Sequence, residues 1–311
     1  MESLSNMSAR STEHRSFDLG AAALDRLLVP KLGDKYVCPL CRDSFDRSQI
    51  ATDLTVEHAP PSSIGGRGIA LTCRACNSRS GSQLDAELLH HHNTRQLARG
   101  GTAVYEDVET TQEGTLARGR LAIGPEGLRF DPIERQNHPE RLQEHLEVSS
   151  RWAQTPLAGR EITMRIPIRG NPRLADLSLI RAAFLVAFAT FGYVYALQPA
   201  FEVLIKQLHS PNEQLIDPLP IFYDDSSPDD LREIALVTRP HLLRSVIVRI
   251  GPAAIFLPPE WDDRFFEDFD DRRSEFVAGV TDPAAFSLGV ERFDWPTSPQ
   301  HLWDGVERQT T

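Results

Sequence analysis

The pattern of hydrophobic and polar positions in the first hundred residues predicts short helices and strands. Residues 1 to about 15 are polar and predict a tail, whereas the leucines of Phe17–Leu32 cluster at helical spacing and predict a helix. Two short β-branched runs, Leu54–Val56 and Ile69–Thr72, predict strands, and a helix that reaches His92 should follow them. We therefore expect two short strands and a helix in this region.

The pattern changes after Gly100. Alternating stretches with glycine-centred turns predict antiparallel strands over residues 102–130, and "EITMRIPIRG" predicts another strand. Leu174–Leu208 should be mostly helical, in two helices separated near Pro199. Ile234–Val237 and Ser245–Phe256 are strand candidates, and an acidic block covers residues 260–275. Residues 100–311 thus predict a second α+β domain, of unassigned fold.

The most apolar stretch is AAFLVAFATFGYVYAL, Ala182–Leu197, which is uncharged and preceded by Arg181. A membrane-spanning helix needs about 20 apolar residues. The stretch is shorter and contains two tyrosines, so we expect a buried core helix and no membrane span.

Length and charge set limits on function. A chain of 311 residues is long enough for two domains with cores of their own. The formal net charge of −11 argues against nucleic-acid binding over the whole surface of the protein. Residues 31–100, however, hold nine Lys/Arg and seven Asp/Glu, so the remainder carries the whole acidic surplus. Any DNA contact should use residues 31–100.

The four cysteines form two C-x-x-C pairs, Cys38/Cys41 and Cys73/Cys76. Such pairs suit a structural zinc site with four sulfur ligands, because each pair presents two sulfurs to one ion. The first residues have no apolar core typical of a signal peptide. We therefore expect a reducing cytoplasm, where these pairs favour metal over disulfides.

Polar side chains cluster between and after the cysteine pairs. Glu57 and His58 end the first predicted strand, and neighbouring strand residues point to opposite faces, so the two can have different tasks. Asn77 follows the last cysteine and shares a predicted helix face with Asp85. Two nearby arginines are suited to phosphodiester contact: Arg74 and Arg79.

In this order, "CPLC … LTVEHAPPSSIGG … LTCRACNSRSGSQLDAEL" resembles the HNH endonuclease family in its zinc-knuckle form, over Cys38–Leu88. The resemblance implies a small zinc-braced ββα-metal domain, treble-clef-like, at residues 35–99. A tail and helix (1–34) would precede it, and the larger α+β domain (100–311) would follow, which makes the whole chain α+β.

The resemblance also implies roles for individual residues. His58 would be the general base that activates water, and Glu57 and Asn77 would hold a divalent cation, Mg²⁺ or Mn²⁺, as oxygen ligands. Asp85 would be either a further metal ligand or a residue that supports the helix. Two positions depart from the family pattern: Gly68 stands where an asparagine usually orients the base, and Ser80 where a lysine is frequent.

The expected function is therefore metal-dependent hydrolysis of DNA phosphodiester bonds. The kinds of chains that carry such modules suggest a prokaryotic antiviral defence effector. A protein partner or a second copy would bind through residues 100–311. The alternative is a catalytically silent zinc-ribbon adaptor that binds nucleic acid or protein. It would need only the cysteines, whereas this chain also retains Glu57, His58 and Asn77.

Overall fold

The structure is a computed structural model and describes residues 4–27, 31–153, 161–166, 170–279 and 288–304. The protein is α+β, as expected, and has two compact units. The larger unit combines Met1–Leu88 with Pro172–Thr311, and the smaller unit is the intervening Leu89–Asn171. The expected boundary after residue 99 does not coincide with these units, because the cysteine-bearing module shares one hydrophobic core with residues from 172 onward.

The first stretch of the larger unit holds the cysteines. Helix α1 (Leu4–Leu27) packs against β1 (Lys35–Val37), which pairs with β2 (Ser44–Asp46). Helix α2 (Ile50–Asp53) leads into the antiparallel hairpin of β3 (Leu54–Ala59) and β4 (Arg67–Cys73). Helix α3 (Arg74–Ser80), a π-helical turn (Gly81–Asp85) and helix α4 (Ala86–Ala98) follow without a break.

Within its described residues, the smaller unit contains the part of α4 from Leu89 onward, a four-stranded antiparallel sheet and one further α-helix. After α4, its strands and helix are, in chain order, β5 (Ala103–Gln112), β6 (Thr115–Gly124), β7 (Gly127–Pro132), α5 (Pro139–Ala153) and β8 (Ile162–Arg165). The strand order is β7-β6-β5-β8, and α5 packs against β6.

The second stretch of the larger unit begins with three helices and continues with a sheet. The helices are α6 (Pro172–Phe191), α7 (Tyr193–Ala196) and α8 (Phe201–His209). The strands that follow are β9 (Ile221–Tyr223), β10 (Arg232–Arg239), β11 (Ser245–Ile250) and β12 (Ala253–Leu257). After helix α9 (Phe265–Gly279), strand β13 (Gly289–Phe293) completes an antiparallel sheet of order β13-β10-β11-β12-β9.

Helix α6 lies at the centre of the larger unit's core. It packs against β3, β4 and the π-helical turn, and also against β11 and β12. All its residues from Leu177 to Phe191 are buried. In length and composition alone this helix could cross a membrane, but 89% of its most apolar window is buried inside the protein. It is thus the core helix that the apolar stretch predicted.

Several predicted elements have different bounds in the structure. The prediction of a polar tail is wrong for residues 4–15, because these residues belong to helix α1. The predicted helix break near Pro199 is present, but the chain first breaks at Gly192, whose φ of +89° suits a residue without Cβ. The strand candidate Ser245–Phe256 is two strands, which turn at Gly251 with φ +58°. The acidic block, for which no element is predicted, carries most of α9.

Candidate functional site

The four cysteine sulfurs form one compact cluster. All four lie within 4.8 Å of one another, and the Cys41 and Cys73 sulfurs are 3.8 Å apart. Zinc–sulfur bonds of about 2.3 Å in a tetrahedron place sulfur atoms about 3.8 Å apart. Among the described residues, no other group of three or more His, Cys, Asp or Glu side chains could hold a metal ion. The cluster is therefore compatible with the expected structural zinc.

Local backbone geometry forms each half of this cluster. In the first knuckle the Cys38 amide donates to the Asp43 carbonyl at 3.0 Å, and Arg42 adopts φ +63°. In the second, Cys73 caps α3 by accepting the Cys76 amide at its sulfur, at 3.4 Å. The Cys73 amide also donates to the Cys38 sulfur, at 3.4 Å. These contacts hold both pairs at one point.

The pKa values of the four thiols are shifted in different directions. Hydrogen bonds from Cys38, Cys41 and Cys76 lower the pKa of Cys73. Hydrogen bonds to neighbouring thiols, together with burial, raise the pKa of Cys41. Zinc binds cysteine as the thiolate, so zinc binding to this cluster is accompanied by proton release.

His209 is a neighbour of this cluster that sequence reasoning did not find. Its Nε2 lies 3.8 Å from the Cys76 sulfur, and it comes from the end of α8. Burial lowers the pKa of His209, which favours a neutral ring. A ring N–H that faces a metal-bound thiolate can donate a weak hydrogen bond to it. Nothing in the local sequence links residue 209 to the cysteines.

Glu57 and His58 lie on opposite faces of β3, as the strand periodicity predicted. Glu57 is only 3% exposed, whereas His58 is exposed. The register of the hairpin shifts between them: Glu57 pairs with Ala70, but His58 pairs with Gly68. The extra residue, Ile69, lies in β4, so side chains still alternate along β3, with the imidazole on the solvent side and the carboxylate facing the core.

The glycines that follow the Glu-His pair are needed for the loop. Gly65 has φ +82°, and a Cβ at Gly66 would lie 1.4 Å from the Pro60 carbonyl oxygen. Arg232, in β10, donates to the Ile64 carbonyl at 3.0 Å. The Pro/Gly segment is thus a tight turn that is anchored from the second stretch of the larger unit.

Gly68 occupies the position where the resembled family has an asparagine. A Cβ there would lie 2.4 Å from Val56 Cγ1 and 3.8 Å from His58 Cε1. The first distance is a severe clash with a short, stiff side chain. The close approach of the two strands therefore requires glycine, and an asparagine cannot orient His58 from this position.

The Glu57 carboxylate belongs to a buried ion cluster with Arg181 and Asp85. Arg181 is 1% exposed; it donates from Nη1 to Glu57 Oε1 at 3.0 Å and from Nη2 to both Asp85 oxygens at 2.9 Å. Ser178, one helical turn before Arg181, donates to Asp85 at 2.6 Å. Burial raises the pKa of Glu57, and the charge of Arg181 partly offsets this shift.

One oxygen of this cluster has no close hydrogen bond. Glu57 Oε2 is buried and has no close donor among the described residues. The buried Thr72 hydroxyl, on the paired strand β4, lies near enough to this carboxylate to lower the pKa of Glu57 through a hydrogen bond. A buried carboxylate oxygen without a full hydrogen bond is costly, and a hydroxyl or a cation can compensate it.

The other predicted site residues lie on or near α3, which packs against both strands of the hairpin. Asn77 is half-buried in the first turn of α3. Arg79 and Arg74 are exposed, and Arg74 donates to the Ala51 carbonyl at 3.1 Å. Asp85 ends the π-helical turn, whose wider winding changes the even spacing expected for one α-helical face.

Arg181 and Ser178 were not among the predicted site residues. The available signal was an arginine directly before the uncharged run, in the middle of α6, since a buried charge needs a partner. The sequence could not show that this partner would be Glu57, 124 positions away.

Comparisons with known proteins give no relative. No protein-family model, curated protein or solved structure matches the chain.

Proposed function

We propose that the protein is a metal-dependent endonuclease of the HNH kind that hydrolyses DNA phosphodiester bonds. One observation carries the proposal: Glu57 and His58 lie side by side on β3 but face different environments, beside a four-cysteine cluster. A buried carboxylate suits a cation, and an exposed imidazole suits water and substrate. The hairpin β3–β4 followed by α3 has the element order of a ββα-metal domain.

In this proposal each residue has one task. His58 accepts a proton from the attacking water, since an imidazole can take up a proton near neutral pH. Glu57, through Oε2, and Asn77 hold Mg²⁺ or Mn²⁺. The cation supplies electrostatic stabilisation of the phosphate and of the departing 3′ oxygen. Arg74 and Arg79 contact the DNA backbone. The products are a 5′ phosphate and a 3′ hydroxyl.

The charge distribution supports DNA as the substrate of the cysteine-bearing module. It also supports a protein partner or a second copy for residues 100–311. Arg74 and Arg79 are exposed where α3 begins and ends. The acidic surplus outside residues 31–100 repels free DNA, so a partner or a second copy that binds residues 100–311 would activate cleavage. A cytoplasmic antiviral defence effector fits this arrangement.

The test is cleavage of supercoiled plasmid by the full-length protein with Mg²⁺ or Mn²⁺. Nicked or linear DNA with ligatable ends, hence a 5′ phosphate and a 3′ hydroxyl, is the expected result. Ends that carry a 3′ phosphate would contradict the assigned chemistry.

A silent zinc-ribbon adaptor is the second candidate. The observation in its favour is that Glu57 is paired with Arg181 in the core, as a purely structural ion pair would be. Metal titration separates the two proposals. An adaptor should bind one zinc and show no response to Mn²⁺, whereas the nuclease should bind zinc and Mn²⁺ at separate sites.

A further inference from the structure

A zinc ion bound by the four-cysteine cluster would leave the site with a charge that the protein must compensate. Four thiolates and one Zn²⁺ give a net charge of −2. Cys38, Cys73 and Cys76 are buried, whereas Cys41 is partly exposed. Water can solvate the partly exposed sulfur, but a buried anionic sulfur needs a hydrogen-bond donor from the protein. Three of the four thiolates therefore require such a donor.

Backbone amides supply two of these three donors. The Cys73 amide donates to the Cys38 sulfur at 3.4 Å, and the Cys76 amide donates to the Cys73 sulfur at 3.4 Å. The remaining buried sulfur, that of Cys76, has His209 Nε2 at 3.8 Å. The imidazole thus lies where the third donor is needed.

Helix α8 holds His209 in this place, because the helix contacts both cysteine knuckles. Glu202, in the first turn of α8, pairs with Arg42 of the first knuckle at 3.6 Å. His209, the last residue of α8, lies beside Cys76 of the second knuckle. Between them, Leu204 is fully buried in the core that also contains the cysteines. The position of the imidazole is therefore set by a packed helix.

The group of side chains that could hold the metal consists of the four cysteines and does not include His209. The imidazole therefore lies outside the four sulfurs, against one of them. A neutral imidazole carries a single N–H. We infer that His209 is a positioning residue of the zinc site, whose Nε2–H donates to the Cys76 thiolate and makes zinc retention depend on α8.

Such a hydrogen bond has two measurable consequences. It stabilises the thiolate as a ligand, and residues that orient metal ligands in this way typically contribute about 10–100-fold to metal affinity. It also lowers the energy of the sulfur lone pairs, so that transfer of an electron from sulfur to a bound metal needs more energy. Zn²⁺ has a filled d shell and does not report this transfer, whereas Co²⁺ in the same tetrahedral site does.

The experiment uses the full-length protein with Co²⁺ in place of zinc and records the sulfur-to-cobalt charge-transfer band. Competition with a chromophoric chelator gives the zinc affinity, and the melting temperature is measured on the same samples. The variants are His209→Leu, which has no donor, and His209→Gln, whose amide can donate from a similar position. Leu204→Ala is the control, because it weakens the packing of α8 without removing an N–H group.

We expect the charge-transfer band of His209→Leu to move to longer wavelength and its zinc affinity to fall about tenfold. His209→Gln should keep the wild-type band and an affinity close to that of the wild type. Leu204→Ala should lower the melting temperature and leave the band in place, and its affinity gives the contribution of stability alone. If His209→Leu does not fold, His209→Ala, which also lacks a donor, takes its place.

Three results would overturn the inference. They are an unshifted band in the variant without a donor, an equal loss of affinity in the leucine, glutamine and Leu204→Ala variants, and a wild-type protein that binds neither metal. A wild-type band with the intensity of three sulfurs would make His209 a ligand and would also contradict it. Neither measurement involves DNA, so a protein that cuts no DNA would count only against the proposed function.

Discussion

Arg181 donates a hydrogen bond to Glu57 Oε1 at 3.0 Å, across 124 positions of sequence. This contact makes α6 part of the candidate site, although the motif that predicted the site ends at Leu88. Tyr193 and Arg42 add further connections, since Tyr193 donates to the Val37 carbonyl at 2.6 Å and Arg42 to the Gln198 carbonyl at 3.2 Å. The cysteine-bearing module is therefore not an independent domain.

Separation of the module from α6 should prevent its folding. An isolated 35–99 fragment loses the partners of Glu57, Val37 and Arg42 and exposes the apolar surface that α6 covers. We expect no cooperative thermal transition for it by circular dichroism, even with zinc. The isolated 89–171 fragment is the control, because that unit has a core of its own and should keep its sheet. Cooperative unfolding of the 35–99 fragment would contradict this prediction.

Gly68 should be needed for stability. In Gly68→Ala the new methyl group meets Val56 Cγ1 at 2.4 Å, and overpacking of this kind costs roughly 1–3 kcal/mol in free energy of unfolding. Gly81→Ala is the matched control, because nothing lies within 4 Å of its Cβ position and its backbone is helical. Urea denaturation of both variants measures the difference. Equal stability of Gly68→Ala and the wild type would show that the strands are farther apart than described.

Metal removal should destabilise the larger unit. Structural zinc sites in zinc-finger peptides bind with about 10–16 kcal/mol of apparent free energy, which is coupled to folding. We expect one zinc per chain, and a large fall in melting temperature with a strong chelator or in Cys41→Ser. Zinc should dissociate more readily as the pH falls, because protons compete with the metal for the thiolates.

Ser44→Ala provides the control for the cysteine variant, since Ser44 is exposed in the same region and lies outside the sulfur cluster. An unchanged melting temperature after complete zinc removal, measured by metal analysis on the same sample, would contradict a structural role for the metal.

The sequence predicted those features that depend on neighbouring residues. The cysteine pairs indicated their own cluster, and the period of two in a strand placed Glu57 and His58 on opposite faces. The uncharged run after Arg181 predicted the buried helix α6. In each case the chemistry and the geometry lie within a few positions of each other.

The features that the sequence did not reveal depend on packing between distant stretches of the chain. The larger unit combines two distant stretches of chain, so its core could not be inferred from periodicity within either one. The partner of Glu57 comes from α6, and His209 reaches the cysteines from α8. The role of Gly68 was also hidden, because only the register of β3 and β4 brings it against Val56.

The account depends most on His58 as the general base. The most direct measurement compares Mn²⁺-dependent plasmid cleavage by the full-length wild type and by His58→Ala, with zinc content and Mn²⁺ affinity measured on both. Because His58 is exposed and is not proposed as a metal ligand, the variant should keep its fold and both metals. The account predicts that cleavage falls at least a hundredfold in His58→Ala, since general base catalysis contributes about 10²–10⁴-fold. Equal cleavage by the two proteins would contradict it.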